Sequence, residues 1–168
     1  MLSLAFILAA ASVTEQMAPA RQGMLQCQMP DALFKTCASL SKVVQLEPST
    51  YLIETNMLVD PRGPVVAKMK SKVFVEGEEI CDKMDPKDIS TAVITSDGKS
   101  VSAASAARYT AAMHRSFSAF HGKSVCTRIV ADEQGVMKVQ GRVAGKRMPQ
   151  LDYDMSWVKP RDGWTVAR

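Results

Sequence analysis

The sequence predicts an α+β fold: a curved antiparallel sheet of about seven or eight short strands, packed on one amphipathic helix and stapled by disulfide bonds. Several segments alternate apolar and polar residues as half-buried strands do, whereas residues 102–122 switch to a helical period. The chain also has four cysteines in 168 residues. Short connections between the segments favour antiparallel neighbours, and the one helix is expected to cover or fill the curved sheet.

Residues 1–20 are predicted to be a secretory signal peptide. A short apolar run, Leu4–Val13, is followed by Ala18-Pro19-Ala20, a small-x-small pattern typical of a cleavage site before Arg21. The run is too short to cross a bilayer, which takes about 20 apolar residues. No Lys or Arg precedes it, which departs from the usual pattern, and a buried N-terminal helix is the alternative interpretation. We therefore expect one domain, residues 21–168, exported to the periplasm or the extracellular space without a transmembrane span.

The four cysteines are predicted to be structural disulfides. None of them forms a C-x-x-C pair, which disfavours a thioredoxin-like redox site and a zinc site. Their order suggests the pairs Cys27–Cys37 and Cys81–Cys126, although four cysteines allow three pairings. In the chain-entropy model the two loops would contribute roughly 2.5 and 4 kcal/mol.

The strand pattern is clearest in residues 65–76. Val65, Ala67 and Val73 lie in one phase of this segment, and Lys68 and Lys70 lie in the other. A half-buried antiparallel strand has this alternation. Similar segments are predicted at 51–59, 78–81, 88–99 (a short strand with a Ser-Asp-Gly turn), 124–131, 136–143, 151–158 and 164–167.

The helical segment carries a narrow apolar stripe that includes Tyr109, Met113 and Phe117, and Gly122 is a plausible C-cap. A ligand between the sheet and the helix would lie near these three residues and Trp157. The same four side chains are equally suited to a core.

The composition disfavours two functional classes, nucleic-acid binding and copper binding. The formal net charge of +4 and the pI near 8.9 lie below the values typical of dedicated nucleic-acid binders. The methionines fall on the apolar phases of the predicted elements, where they suit a core better than a copper site. The leading hypothesis is therefore a non-enzymatic exported domain, without metal or cofactor, that binds a protein partner or a small apolar ligand in the cell envelope.

An envelope enzyme is the first alternative, with His114 or His121 as its general base. On a continuous helix the two histidines would stand about 10 Å apart, so they could not chelate one ion. An enzyme would need one of them in a pocket, within hydrogen-bond reach of Asp, Glu or Ser.

Binding to anionic surfaces or polyanions is the second alternative. Six cations share the polar phases of their strands, and they would form one basic face if those strands were neighbours. They are Lys68, Lys70, Lys72, Arg128, Lys138 and Arg142. Lysines on a sheet edge also discourage aggregation, which is the simpler explanation.

Overall fold

The chain folds into a closed barrel of eight antiparallel strands. The computed structural model describes residues 16–60, 62–132 and 136–167. Each barrel strand pairs with the next one along the chain, and Tyr153–Val158 returns to pair with Leu25–Gln28. The predicted α+β fold, a curved sheet packed on one helix, is therefore wrong, because the sheet closes on itself and its interior holds much of the core.

Thirteen strands lie in the described ranges, and eight of them form the barrel. The barrel strands are β1 Leu25–Gln28, β3 Ser39–Glu47, β4 Thr50–Asp60, β5 Val65–Glu76, β6 Glu79–Lys83, β9 Ser124–Ala131, β10 Met137–Val143 and β12 Tyr153–Val158. Three more extend the barrel sheet: β7 Val93–Ser96, β8 Lys99–Ser100 and β11 Lys146–Arg147. The two remaining strands, β2 Thr36–Cys37 and β13 Thr165–Val166, pair in parallel as a separate ribbon.

The alternation in β5 shows why the barrel forms. Val65, Ala67 and Val73 are buried, whereas Lys68 and Lys70 are exposed on the outer surface. Because side chains alternate across a strand, one phase of each strand faces inward, and closing the ring removes both sheet edges.

A segment between β6 and β9 carries two of the three α-helices in the described ranges. Helix α2 spans Pro86–Ser90, and α3 spans Ala103–Phe117, followed by a 3₁₀ turn at Ser118–Phe120. Ser102 begins α3 as its N-cap, because its hydroxyl accepts the N–H of Ser105 at 3.2 Å. Met113 is the buried residue of α3, and it packs with Val65 and Ala67 at one end of the β4–β5 hairpin. The helix thus covers part of the barrel rather than the whole sheet.

Both predicted disulfides are confirmed. Cys27–Cys37 joins β1 to β2, and Cys81–Cys126 joins residues that lie directly opposite each other on β6 and β9. The second bond closes the chain around the inserted helices. Two disulfides indicate an oxidising, non-cytoplasmic environment.

The N-terminal part of the described chain enters the barrel. Helix α1, Ala18–Arg21, follows Met17, whose side chain is fully buried with Val43, Tyr51 and Val73. Met17 lies toward the Tyr51 end of the β4–β5 hairpin, and α3 packs at the other end. The apolar run Leu4–Val13 lies outside the described residues, and cleavage before Arg21 stays a prediction.

None of the helices in the described ranges has the length and apolar character needed to cross a lipid bilayer.

Candidate ligand site in the barrel interior

The barrel interior holds a small cavity of about 90 Å³. Its walls come from seven strands and mix aliphatic, aromatic and neutral polar side chains. They are Gln26, Gln28, Ser39, Ser41, Ile53, Ile80, Thr127, Ile129, Val139, Tyr153 and Met155. A volume of this size suits a few water molecules and is smaller than a typical ligand pocket.

The polar groups of this cavity largely satisfy one another. The Ser39 hydroxyl donates to Gln28 Oε1 at 2.7 Å, and the hydroxyls of Ser41 and Thr55 are 2.8 Å apart. The Thr127 hydroxyl donates to a backbone carbonyl of β6 at 3.4 Å. Because neutral buried groups paired in this way carry a small desolvation cost, the interior can be both polar and stable.

The cavity wall is uncharged. Its lining residues include no Asp, Glu, Lys, Arg or His. Tyr153 is the lining residue with a phenolic proton, and burial raises the pKa of its hydroxyl to about 12, which keeps the side chain neutral at physiological pH.

Met17 and Gln16 each contact a residue that lines the cavity. The side-chain nitrogen of Gln26, a lining residue, lies 3.9 Å from the Met17 sulfur, and Gln16 Nε2 donates to the Ile129 carbonyl at 3.0 Å. Tyr51 packs beside Met17 and is 2% exposed. Its hydroxyl has no hydrogen-bond partner among the described residues.

The ligand residues expected from the sequence lie in two places. Tyr109, Met113 and Phe117 line a shallow groove of about 210 Å³ against β4. Trp157 lies in the barrel wall instead, packed against the Met17 cluster. The structure therefore brings the three helix residues together but separates them from Trp157.

The rings of His114 and His121 are in contact, whereas a separation of about 10 Å was expected on a continuous helix. Because α3 ends at Phe117 and a 3₁₀ turn follows, His121 returns to place its ring 5.7 Å from the His114 ring, edge to face. No third His, Cys, Asp or Glu among the described residues joins them in a possible metal-ligand group. The His121 Nε2 atom is buried, with no hydrogen-bond partner in the described ranges.

His114 also contacts a serine. Its Nε2 lies 3.0 Å from the Ser90 hydroxyl, which is itself 3.1 Å from the Pro86 carbonyl oxygen. A hydroxyl has one proton, so a proton donated to Pro86 leaves the imidazole N–H to donate to Ser90. This arrangement orients the ring.

The six predicted basic-face residues lie on three barrel strands that are not all neighbours. Lys68, Lys70 and Lys72 follow β5, with Lys70 bonded to Glu54 at 2.7 Å. The other three lie on β9 and β10, which β6 separates from β5, and each is paired with an acid. The pairs are Arg128–Glu78 at 2.6 Å, Lys138–Asp154 at 2.7 Å and Arg142–Glu79 at 3.1 Å.

An acidic cluster lies where β6 meets α2. Burial, with added repulsion from Asp88 and Asp85, raises the pKa of Asp82 to about 6. The pKa of Asp88 is raised by burial and by Asp85. Asp85 serves as the N-cap of α2, because its carboxylate accepts the N–H of Lys87 at 2.9 Å. Asp85 therefore has a structural role at the start of the helix.

Comparison with known proteins gives no indication of function, so function is inferred from the fold and from this site. No protein-family model, curated protein or solved structure matches the chain.

The sequence pattern missed the barrel cavity because its polar residues lie in the inward phase of their strands. Gln26, Gln28, Ser39 and Ser41 point inward, where alternation of apolar residues is normally sought. The alternation in residues 39–44 is still visible, since Ser39, Ser41 and Val43 are buried. The two-residue alternation of this strand was therefore present in the sequence, but two of its inward residues are polar where apolar ones were expected.

Proposed function

We propose that the chain is an exported, non-enzymatic binding protein that holds a small, mainly apolar molecule inside its barrel. The observation that carries this proposal is an uncharged cavity in the barrel interior, whose walls mix aliphatic side chains with paired polar groups. A barrel of eight strands has an interior that either is filled by side chains or holds one small ligand. Enclosed apolar space with a few polar groups is the usual form of a small-molecule site.

The periplasm or the extracellular space is the proposed location. The signal-like N-terminal segment and the two disulfides support it, because disulfides persist in oxidising compartments. The binding role is favoured over catalysis because both histidines lie outside the barrel cavity and the Ser90 hydroxyl beside His114 also bonds the Pro86 carbonyl.

A native, non-reduced mass spectrum of the protein purified from its own host tests this function. We expect a chain that begins at Arg21, lacks four hydrogens and carries a non-covalent mass that organic solvent removes. A second sample, stripped by solvent, is titrated with methyl pentyl ketone by calorimetry. A bare mass together with no heat of binding contradicts the proposal.

A further inference from the structure

We propose that Met17 occupies the ligand site of the barrel, and that the ligand replacing it is a small neutral molecule with an apolar body and one hydrogen-bond-accepting oxygen. This inference rests on the proposed function and names the chemical class of its ligand. The segment Gln16–Ala20 then acts as a plug that is displaced or removed before the ligand binds.

The position of Met17 joins it to the cavity. Its side chain is fully buried with Tyr51 and Ile80, and Ile80 also lines the cavity. Gln26 connects the two in the same way, because it lines the cavity and contacts the Met17 sulfur. Because Met17 and the cavity share these two neighbours, we expect removal of the Met17 side chain to enlarge the space of about 90 Å³.

Met17 satisfies its polar neighbour poorly. The Gln26 amide reaches the Met17 sulfur at 3.9 Å, and a thioether is a weak acceptor. An amide N–H bonds an oxygen best near 2.9 Å, so an ether, ester or ketone oxygen at this position would bond Gln26 more strongly. The Met17 sulfur thus lies where a better acceptor would be expected in a ligand.

Tyr51 supplies an independent observation. Its hydroxyl is buried beside Met17, and no described residue bonds to it. Buried hydroxyls are nearly always paired in folded proteins, so the Tyr51 hydroxyl is a donor available to an acceptor bound beside Met17. A ligand oxygen can accept this hydroxyl proton, which gives the site a second donor for the same chemical class.

The described cavity wall carries no charged residue, and this limits the ligand to a neutral molecule. An ion placed among these lining residues would be buried without a partner, at a high desolvation cost. The ligand is therefore neutral. Its apolar body takes the place of the Met17 side chain against Val43, Val73 and Ile80.

The predicted export signal gives the plug a role. Cleavage before Arg21 would remove Met17 and with it the group that fills the site. The precursor would then be closed to the ligand, and processing would open it.

The test measures binding of methyl pentyl ketone to the full chain and to the host-processed protein. Trp157, which packs against the Met17 cluster, reports binding by fluorescence when Trp164→Phe removes the other tryptophan. We expect the processed protein to bind at least about tenfold more tightly than the full chain. Met17→Asp in the full chain should give the same gain, because a carboxylate is expelled from an apolar interior. Met17→Leu, the volume-conserving control, should give none.

The ligand class is tested with two further variants of the processed protein. Tyr51→Phe and Gln26→Leu should each weaken ketone binding about tenfold. Neither should weaken binding of the alkene in which a methylene group replaces the ketone oxygen. A non-reduced mass and a circular dichroism spectrum check that each variant is folded with both disulfides. Should Met17→Asp not fold, the processed protein and Met17→Gly still make the comparison.

The outcomes separate this inference from the proposed function. Ketone binding that is equally tight in the full chain, the processed protein and the Met17 variants overturns the plug but leaves the binding function standing. Equal loss of ketone and alkene binding overturns the ligand class. Binding by none of these proteins overturns both. A host-processed chain that still contains Met17 and binds the ketone tightly also overturns the plug.

Discussion

Gly141 of β10 lies so close to the side chain of Leu151 that no Cβ atom fits between them. A Cβ added at Gly141 would overlap Leu151 Cβ and would come within 3.2 Å of its Cδ1 atom. The Gly141 N–H also donates to Asp152 Oδ1 at 3.1 Å, and its carbonyl accepts the Met148 N–H at 2.9 Å. The absence of a side chain thus lets the turn from β11 to β12 close directly on the barrel wall.

Gly141→Ala is expected to destabilise the protein by about 3 kcal/mol, because the added methyl must displace Leu151 from a packed position. Gly63→Ala is the matched control, since a Cβ there meets Val65 Cγ2 at an ordinary 3.9 Å. We expect the control to change stability by less than about 0.5 kcal/mol. Urea unfolding followed by circular dichroism measures both. Equal losses in the two variants would show that Leu151 does not limit the space at Gly141.

The two disulfides are expected to contribute unequally to stability. Cys81–Cys126 closes a loop with a sequence separation of 45, against 10 for Cys27–Cys37. Loop entropy predicts contributions of roughly 4 and 2.5 kcal/mol. Replacing each pair with two alanines removes the same atoms, so the difference between the two double variants reports mainly on loop length. Thermal unfolding should therefore show the larger loss for the Cys81/Cys126 variant, and the reverse order would exclude loop length as the main term.

Strand periods could be predicted from the sequence, whereas closure of the barrel could not. The β4–β5 hairpin could be predicted because Ile53 and Val73 alternate with polar residues such as Glu54 and Lys72. Closure depends on β1 and β3, whose inward phase is polar at Gln26 and at Ser39. Without those two strands the sheet appeared open, and an open sheet needs a helix to cover it.

The candidate site depends on distances that local patterns do not encode. Met17 and Tyr51 are 34 positions apart in the sequence and pack in one cluster. Cysteine pairing was predictable because it follows from number and order. The approach of His121 to His114 was not, because it requires the helix to end at Phe117 when the sequence would allow it to continue to Gly122.

The lysines of β5 offer a test of the anionic-surface alternative. No carboxylate among the described residues forms an ion pair with Lys68 or Lys72, whereas Arg128 and Arg142 each pair with an acid. Replacing Lys68, Lys70 and Lys72 with Gln should therefore reduce retention on heparin at low salt. Replacing Arg128, Lys138 and Arg142 in the same way is the matched control and should reduce it less. If the unmodified protein is not retained at low salt, this alternative is excluded.

Asp82 should make stability depend on pH between about 4 and 6. Burial raises the pKa of its carboxyl to about 6, from an ordinary value of 3.8. The folded state therefore holds this proton more tightly than the unfolded chain, and stability falls as pH rises through that range. The full shift would correspond to about 3 kcal/mol. Because the carboxyl is partly exposed to solvent, we expect a loss of about 1 kcal/mol.

Asp82→Asn removes the ionisation while keeping the shape of the side chain. The variant should be about 1 kcal/mol more stable than the parent at pH 8, where Asp82 is charged beside Asp85 and Asp88. At pH 4 the parent carboxyl is already protonated, so the two proteins should unfold at the same urea concentration. Urea titrations at both values measure this difference. A gain of equal size at pH 4 would mean that the asparagine acts through packing or hydrogen bonding, and that the charge of Asp82 costs the folded state nothing.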